Sequence, residues 1–262
     1  MIGAALGVAK LGARIPGSLG SPPDSVAASR IQRLALADLA RGFGIAIEHH
    51  GQPAGPGTLF VANHVSWADV AVLGSVIDTC FVSRADVAGW PLVGPLARRA
   101  GTIFVARERR ASTADQADAI RARLRSGRSV LLFAEGTTSD GADVLPFRSS
   151  LLAAADAAEA VQPVMLRYLA PDGSALPPRR AREVAWIGDD RLLPNLRALL
   201  RSPVLARVEL LAPIASPDRK ALAVQARAAI RAAHAAAPNR SRYRAEIAST
   251  GTTRNTSTVL NW

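Results

Sequence analysis

The sequence has little cysteine, few aromatics, almost no lysine and no long apolar run. Cys80 is the only cysteine in 262 residues. That excludes an internal disulfide framework and a cysteine-based zinc site, and it suits a reducing compartment. Aromatics make up 5% and do not alternate with the basic clusters. This argues against a stacking platform for single-stranded nucleic acid, so no nucleic-acid partner is expected. No stretch reaches the ~18 to 20 apolar residues of a membrane-crossing helix. The mildly apolar start, residues 1 to 15, is broken by Lys10 and Arg14 and lacks the order of a signal peptide. There is no Gly-x-Ser-x-Gly elbow and no Gly-x-x-x-x-Gly-Lys loop, which weighs against a serine hydrolase and against nucleotide hydrolysis.

What is present describes a globular chain. Hydrophobic residues are 49% and charged residues 20%, enough for one large α/β domain with its own core. The net charge is +11, carried nearly all by arginine, since the lysines are only Lys10 and Lys220. The alanine and arginine bias also fits the base composition of the coding DNA. The charge still favours anionic surfaces: phospholipid head groups, phosphorylated substrates or nucleic acid.

Apolar strand-like runs alternate with helical periodicities. Asp24 is placed to cap a helix over Ser25 to Arg41, with Ile31, Leu34, Leu39 and Phe43 at helical spacing. That helix, bearing Arg30, Arg33 and Arg41, fits either an anionic membrane surface or ordinary packing on its own domain. Strands are expected near 44–49, 58–62, 80–83, 101–107, 129–133, 162–168, 183–187 and 204–211. Helices are expected over 70–77, 112–126, 149–160, 190–201 and, capped by Ser216, up to Pro238. Gly89 to Leu96 is apolar and broken by glycine and proline, fitting core packing or a lip beside a pocket. The pattern predicts an α/β fold, a single domain with a mainly parallel central sheet covered by helices on both faces. The domain spans 24–238, between a poorly ordered segment 1–23 and a loose tail 239–262.

The informative stretch is Leu59-Phe60-Val61-Ala62-Asn63-His64, followed by Asp69. A buried strand ends in a side chain that takes protons near neutral pH, with a carboxylate close behind. Binding and catalytic groups of open α/β sheets gather at this edge. Residues five apart lie about 140° apart on a continuous helix, so His64 and Asp69 meet only if His64 is on a loop and Asp69 on the first helical turn. Ser66 fits as the N-cap of that helix. The pair also fits a histidine satisfied by a backbone carbonyl and an aspartate that only caps. Two further strands end in polar chemistry, at Arg107 and at Glu135-Gly136-Thr137. In a parallel sheet these tips share one edge, and a base, an anion clamp and a glycine loop suit a hydroxyl-bearing, anionic substrate.

In this order the residues resemble the glycerolipid acyltransferases, typified by 1-acylglycerol-3-phosphate O-acyltransferase. Asn63-His64 with Asp69 resembles that family's first block, a His and an Asp separated by four residues. Gly101 to Arg107 is similar to the second, Phe133-Ala134-Glu135-Gly136-Thr137 to the third, and Gln162-Pro163-Val164 to the fourth. The resemblance implies direct acyl transfer from acyl-CoA or acyl carrier protein to a lysolipid hydroxyl. No acyl-enzyme, bound cofactor or metal is implied, and no metal-ligand cluster is visible among His49, His50, His64 and His234. It implies His64 as base and Asp69 as its orienter. Asn63, Arg107, Glu135, Gly136, Thr137, Arg148 and Pro163 are the implied substrate-binding residues. The expected acceptor is 1-acyl-sn-glycerol-3-phosphate, giving phosphatidic acid in phospholipid biosynthesis, with lyso-ornithine lipid as the alternative.

Two departures bear on this. Thr138 stands where the family carries an arginine that pairs with phosphate, and Ala134 replaces a proline. Arg148 is the candidate for the missing charge. The N-terminal region lacks a clear membrane helix, so peripheral attachment to an anionic surface, at the cytoplasmic face, is expected. A non-catalytic membrane- or nucleic-acid-binding module on the same fold is the remaining alternative.

Overall fold

The computed structural model describes residues 25–89, 94, 97–98, 101–105, 112–188, 190–216 and 218–236. The expectations for Arg107, for both terminal segments and for most of the 89–96 stretch lie outside these residues.

Seven strands form one sheet in the order β1-β7-β6-β2-β5-β3-β4. They are β1 (Ile45–His50), β2 (Thr58–Ala62), β3 (Cys80–Arg84), β4 (Ile103–Val105), β5 (Val130–Phe133), β6 (Ala160–Leu169) and β7 (Val204–Leu210). Strands β2 to β6 run the same way. β7 is antiparallel to β6 and β1 parallels β7, so that end of the sheet is reversed. β2 lies at the centre and every residue in it is buried, which is why its sequence is continuously apolar rather than alternating.

Helices cover both faces, as the sequence pattern predicts. On one side α1 (Val26–Gly42) and α2 (Asp69–Val76) pack with Phe60, Phe81, Leu131 and Leu166. On the other, α3 (Ser112–Arg125) and α6 (Arg219–Ala236) cover Leu59, Val61, Val130 and Leu132. Two further helices, α4 (Pro178–Val184) and α5 (Leu192–Arg201), add Val184 and Leu199 to the first face.

Several local expectations are corrected. Ser25, one residue later than predicted, caps α1 by accepting from the Ala28 amide at 3.1 Å. Its buried stripe is Ala28, Ala35, Leu36 and Ala40, while Leu34 faces outward. Small side chains let α1 approach α2 closely: a Cβ on Gly74 would lie 2.5 Å from Leu36 Cδ1. The α1 helix therefore packs on its own domain. Val26, 85% exposed, is its one strongly exposed large apolar side chain among the described residues. The predicted 149–160 helix is two short 3₁₀ turns, Ser149–Leu152 and Ala155–Ala157. Arg121 pins that segment to α3 through Asp156 and the Ala153 carbonyl, so external bonds replace a continuing helical ladder. The predicted strand at 183–187 is the end of α4 and an extended loop, because the Trp186 amide bonds to Val65 O instead of to a strand. The last helix begins at Arg219, and Asp218 rather than Ser216 accepts its Ala221 amide.

Candidate active site

β2 and β5 are neighbours in register, with Ala62 opposite Phe133. The next residues outward are Asn63-His64 on one strand and Ala134-Glu135 on the other. Two motifs separated by about seventy residues thus meet because the strands that precede them pair. Asn63 fastens the tip of β2 sideways: its amide donates to Leu166 O at 2.9 Å and accepts from Leu166 N at 2.8 Å. It is 2% exposed and its amide is committed to β6. The structure therefore makes Asn63 a clamp on the strand tip.

His64 sits on the loop and Asp69 on the first residue of α2, the arrangement the spacing required. His64 Nδ1 lies 2.7 Å from Asp69 Oδ2. The same oxygen accepts from the Val65 amide at 2.7 Å and the Ser66 amide at 3.0 Å. Ser66 does not cap the helix directly; its hydroxyl accepts from Ala68, and the carboxylate of Asp69 organises the turn from inside. Asp69 is fully buried, and Tyr168 donates to its other oxygen, Oδ1, at 2.8 Å. With Nδ1 donating to the carboxylate, Nε2 carries the lone pair. Phe133 stacks on the imidazole at a centroid distance of 3.8 Å and 13° between planes, fixing the plane of the ring. The His64 side chain keeps 19% exposure, so part of it is open to a reactant.

The loop after β5 wraps this histidine. Ser139 donates its amide to His64 O at 2.9 Å, and Glu135 Oε1 accepts the His64 amide at 3.3 Å. Glu135 is buried, its Oε2 has no hydrogen-bond partner among the described residues, and burial pushes its carboxyl up to about 7. The nearby Asp69 charge acts in the same direction. Gly136 adopts φ +69°, and a Cβ there would meet the Arg148 side chain at 2.9 Å. The Arg148 guanidinium thus lies over the glycine turn, exposed, with no carboxylate partner among the described residues. Thr137 is exposed beside it. Pro163 pairs with Val61 in the body of the sheet, one pair below Ala62–Val164, and so lies beneath the site.

The raised carboxyl of Glu135 has a measurable consequence. Folding holds its proton more tightly than the unfolded chain does, so the associated stability is complete below about pH 4.5 and is lost as pH rises through about 7. Glu135→Gln should match the wild type in Tm near pH 4.5 and exceed it above pH 7. Parallel Tm curves across that window would show that Glu135 ionises as freely in the fold as outside it.

Phe133, Ser139 and Tyr168 were not singled out from the sequence. Phe133 opens the third block, but an apolar strand end signals core, not a ring stacked on a base. Tyr168 and Ser139 carry no local signature at all. The His64 turn is also braced from α4 and α5: Trp67 Nε1 donates to Asn195 Oδ1 at 2.7 Å, and Asn195 donates to the Glu183 and Ala185 carbonyls.

A carboxylate-oriented imidazole with a free nitrogen, beside an exposed cation, is equipped to activate a hydroxyl near an anion. Comparison with known proteins agrees. Residues 46–167 match the family model described as Acyltransferase. A lyso-ornithine lipid O-acyltransferase of Brucella abortus is 40% identical over 202 residues, 71% of this chain and 74% of the relative. One from Pseudomonas aeruginosa is 37% identical and covers 87% of each chain. A 1-acyl-sn-glycerol-3-phosphate acyltransferase of Neisseria meningitidis is 33% identical over 61% of this chain and 63% of the relative. In fold, the chain resembles the 1-acyl-sn-glycerophosphate acyltransferase PlsC of Thermotoga maritima, at a TM-score of 0.63 and 17% identity over 86% and 87% of the two chains. The chain belongs to the acyltransferase family and is an enzyme of that family.

Proposed function

We propose that the enzyme moves a fatty acyl group from an acyl thioester to the free hydroxyl of a lysolipid, with His64 as general base. The observation that carries this is the 2.7 Å bond from His64 Nδ1 to a fully buried Asp69, which leaves Nε2 free to accept a proton. The acceptor hydroxyl gives its proton to Nε2 as its oxygen attacks the thioester carbonyl. The imidazolium is stabilised by Asp69. The C–S bond then breaks, and the departing thiolate takes the proton back from Nε2. The products are the acyl ester and a free thiol, with no acyl-enzyme and no bound cofactor. The donor is acyl-CoA or acyl carrier protein. Gly136, Thr137 and Arg148 hold the acceptor head group at the mouth, and Arg107 has the same assignment.

For the acceptor we propose lyso-ornithine lipid. The names of the Brucella and Pseudomonas relatives support it, as does Thr138 in place of the family's phosphate-pairing arginine. A second reading, 1-acyl-sn-glycerol-3-phosphate, is favoured by Arg148 over Gly136, which restores a cation at the mouth, and by the Neisseria relative. The enzyme works peripherally on an anionic membrane at the cytoplasmic face. Its net charge of +11 favours that surface, and no helix among the described residues is long and apolar enough to cross a membrane.

Transfer of a labelled acyl group to the two lysolipids, side by side, tests the acceptor. Higher kcat/KM on lyso-ornithine lipid is expected, and preference for the phosphate ester would establish the second reading. Arg148→Ala should raise the acceptor KM about 5- to 10-fold with kcat within about twofold, because an exposed charge-assisted contact adds uniform binding. An unchanged KM would remove Arg148 from the acceptor site.

A further inference from the structure

We infer that Tyr168 is a positioning residue for this reaction, acting through Asp69 on the orientation and proton affinity of His64. The inference rests on the assignment of His64 as base. Tyr168 lies on β6, which continues past the Ala62–Val164 pair and so lifts this side chain to the level of the 64–69 turn. It is one residue beyond the segment that matches the family model.

The geometry is specific to the hydroxyl. Asp69 Oδ2 is occupied by three donors, His64 Nδ1 and the Val65 and Ser66 amides. Oδ1 is held by Tyr168 Oη at 2.8 Å. Asp69 is 0% exposed and Tyr168 is buried, so no water competes for that oxygen. Bonds on both oxygens, from opposite sides, prevent rotation about the Cβ–Cγ bond and keep Oδ2 aimed at the imidazole. Phenylalanine would fill the same core space; only the hydroxyl makes this contact. Burial and the Asp69 carboxylate raise the Tyr168 phenol well above its ordinary range, so it stays a donor through neutral pH.

The hydroxyl also draws charge from the carboxylate. A carboxylate with fewer donors stabilises an imidazolium more strongly. Among the described residues, the other groups facing His64 are Glu135 from the loop after β5 and the Phe133 ring from β5 itself. Neither touches Oδ1.

Tyr168→Phe tests this. The expected result is a kcat about 3- to 10-fold lower, with KM for donor and acceptor unchanged within about twofold, because the loosened carboxylate orients the base less well. The acid limb of the kcat/KM profile should move to higher pH by about 0.3 to 0.5. An NMR titration of the His64 ring, assigned by its loss in His64→Ala, should move the same way. In an Asp69→Asn background Tyr168→Phe should leave that titration where Asp69→Asn alone puts it, since the charge it modulates is gone. A Tyr168→Phe enzyme with wild-type kcat, pH profile and ring titration, and only a lower Tm, would reduce Tyr168 to core packing. Acyl transfer persisting in His64→Ala would instead remove the base assignment itself, which separates the two failures.

Discussion

His64→Ala should lower acyl transfer by about 10² to 10⁴, the range of a lost general base. The fold should survive. The histidine side chain is partly exposed, and after its removal Asp69 still accepts from Val65, Ser66 and Tyr168. Phe133 loses its stacking partner, so a small fall in Tm is expected. The measurement is single-turnover transfer from a labelled thioester, with Tm recorded on the same sample. Near wild-type transfer from well-folded protein would rule out His64 as the base. A loss that appears only in KM would make His64 a binding group.

Asp69→Ala should damage both activity and stability. The carboxylate accepts four hydrogen bonds inside the core, and its removal strands the Val65 and Ser66 amides and the Tyr168 hydroxyl. Each stranded buried donor costs about 1 to 3 kcal/mol, so a loss of about 3 kcal/mol or more is expected. For a domain of this size that corresponds to a Tm lower by about 6 to 12 °C. Asp69→Asn separates the two roles. Its carbonyl oxygen can take the Oδ2 position and accept from both amides, while its NH₂ donates to the Tyr168 oxygen. Only the Tyr168 hydroxyl hydrogen then lacks its acceptor, so Tm should fall less than in Asp69→Ala, while transfer falls by ~10² or more because the imidazolium loses its counter-charge. Thermal unfolding and transfer rates of both variants check this. An Asp69→Ala protein as stable as wild type would show that the turn is held by other contacts.

Much of the catalytic edge was legible because its signals are local. An apolar run ending in Asn63-His64 marks a strand tip, and the five-residue step to Asp69 admits one geometry, loop then first helical turn. Glu135-Gly136 was legible for the same reason, at the end of Val130–Phe133. Where expectation failed, the deciding force came from elsewhere in the chain. The 149–160 segment had alanines enough for a helix, but Arg121 holds it from α3 in short turns. The 183–187 segment read as a strand, but its amide bond goes to the His64 loop. The clamp that Asn63 makes was not legible either, since its amide reaches Leu166, 103 residues away.

By itself the sequence determined the α/β alternation, the central buried strand, the positions of His64 and Asp69 and the family. These follow from periodicity, from residue type and from motif order, which need no knowledge of distant neighbours. Only the tertiary structure decided the reversed β7 and β1 end of the sheet, the Phe133 ring on the imidazole, Arg148 over Gly136, and Tyr168 on Asp69. Each of these is a contact between residues far apart in sequence. Strand order and register make such contacts, and local residue patterns do not encode strand order.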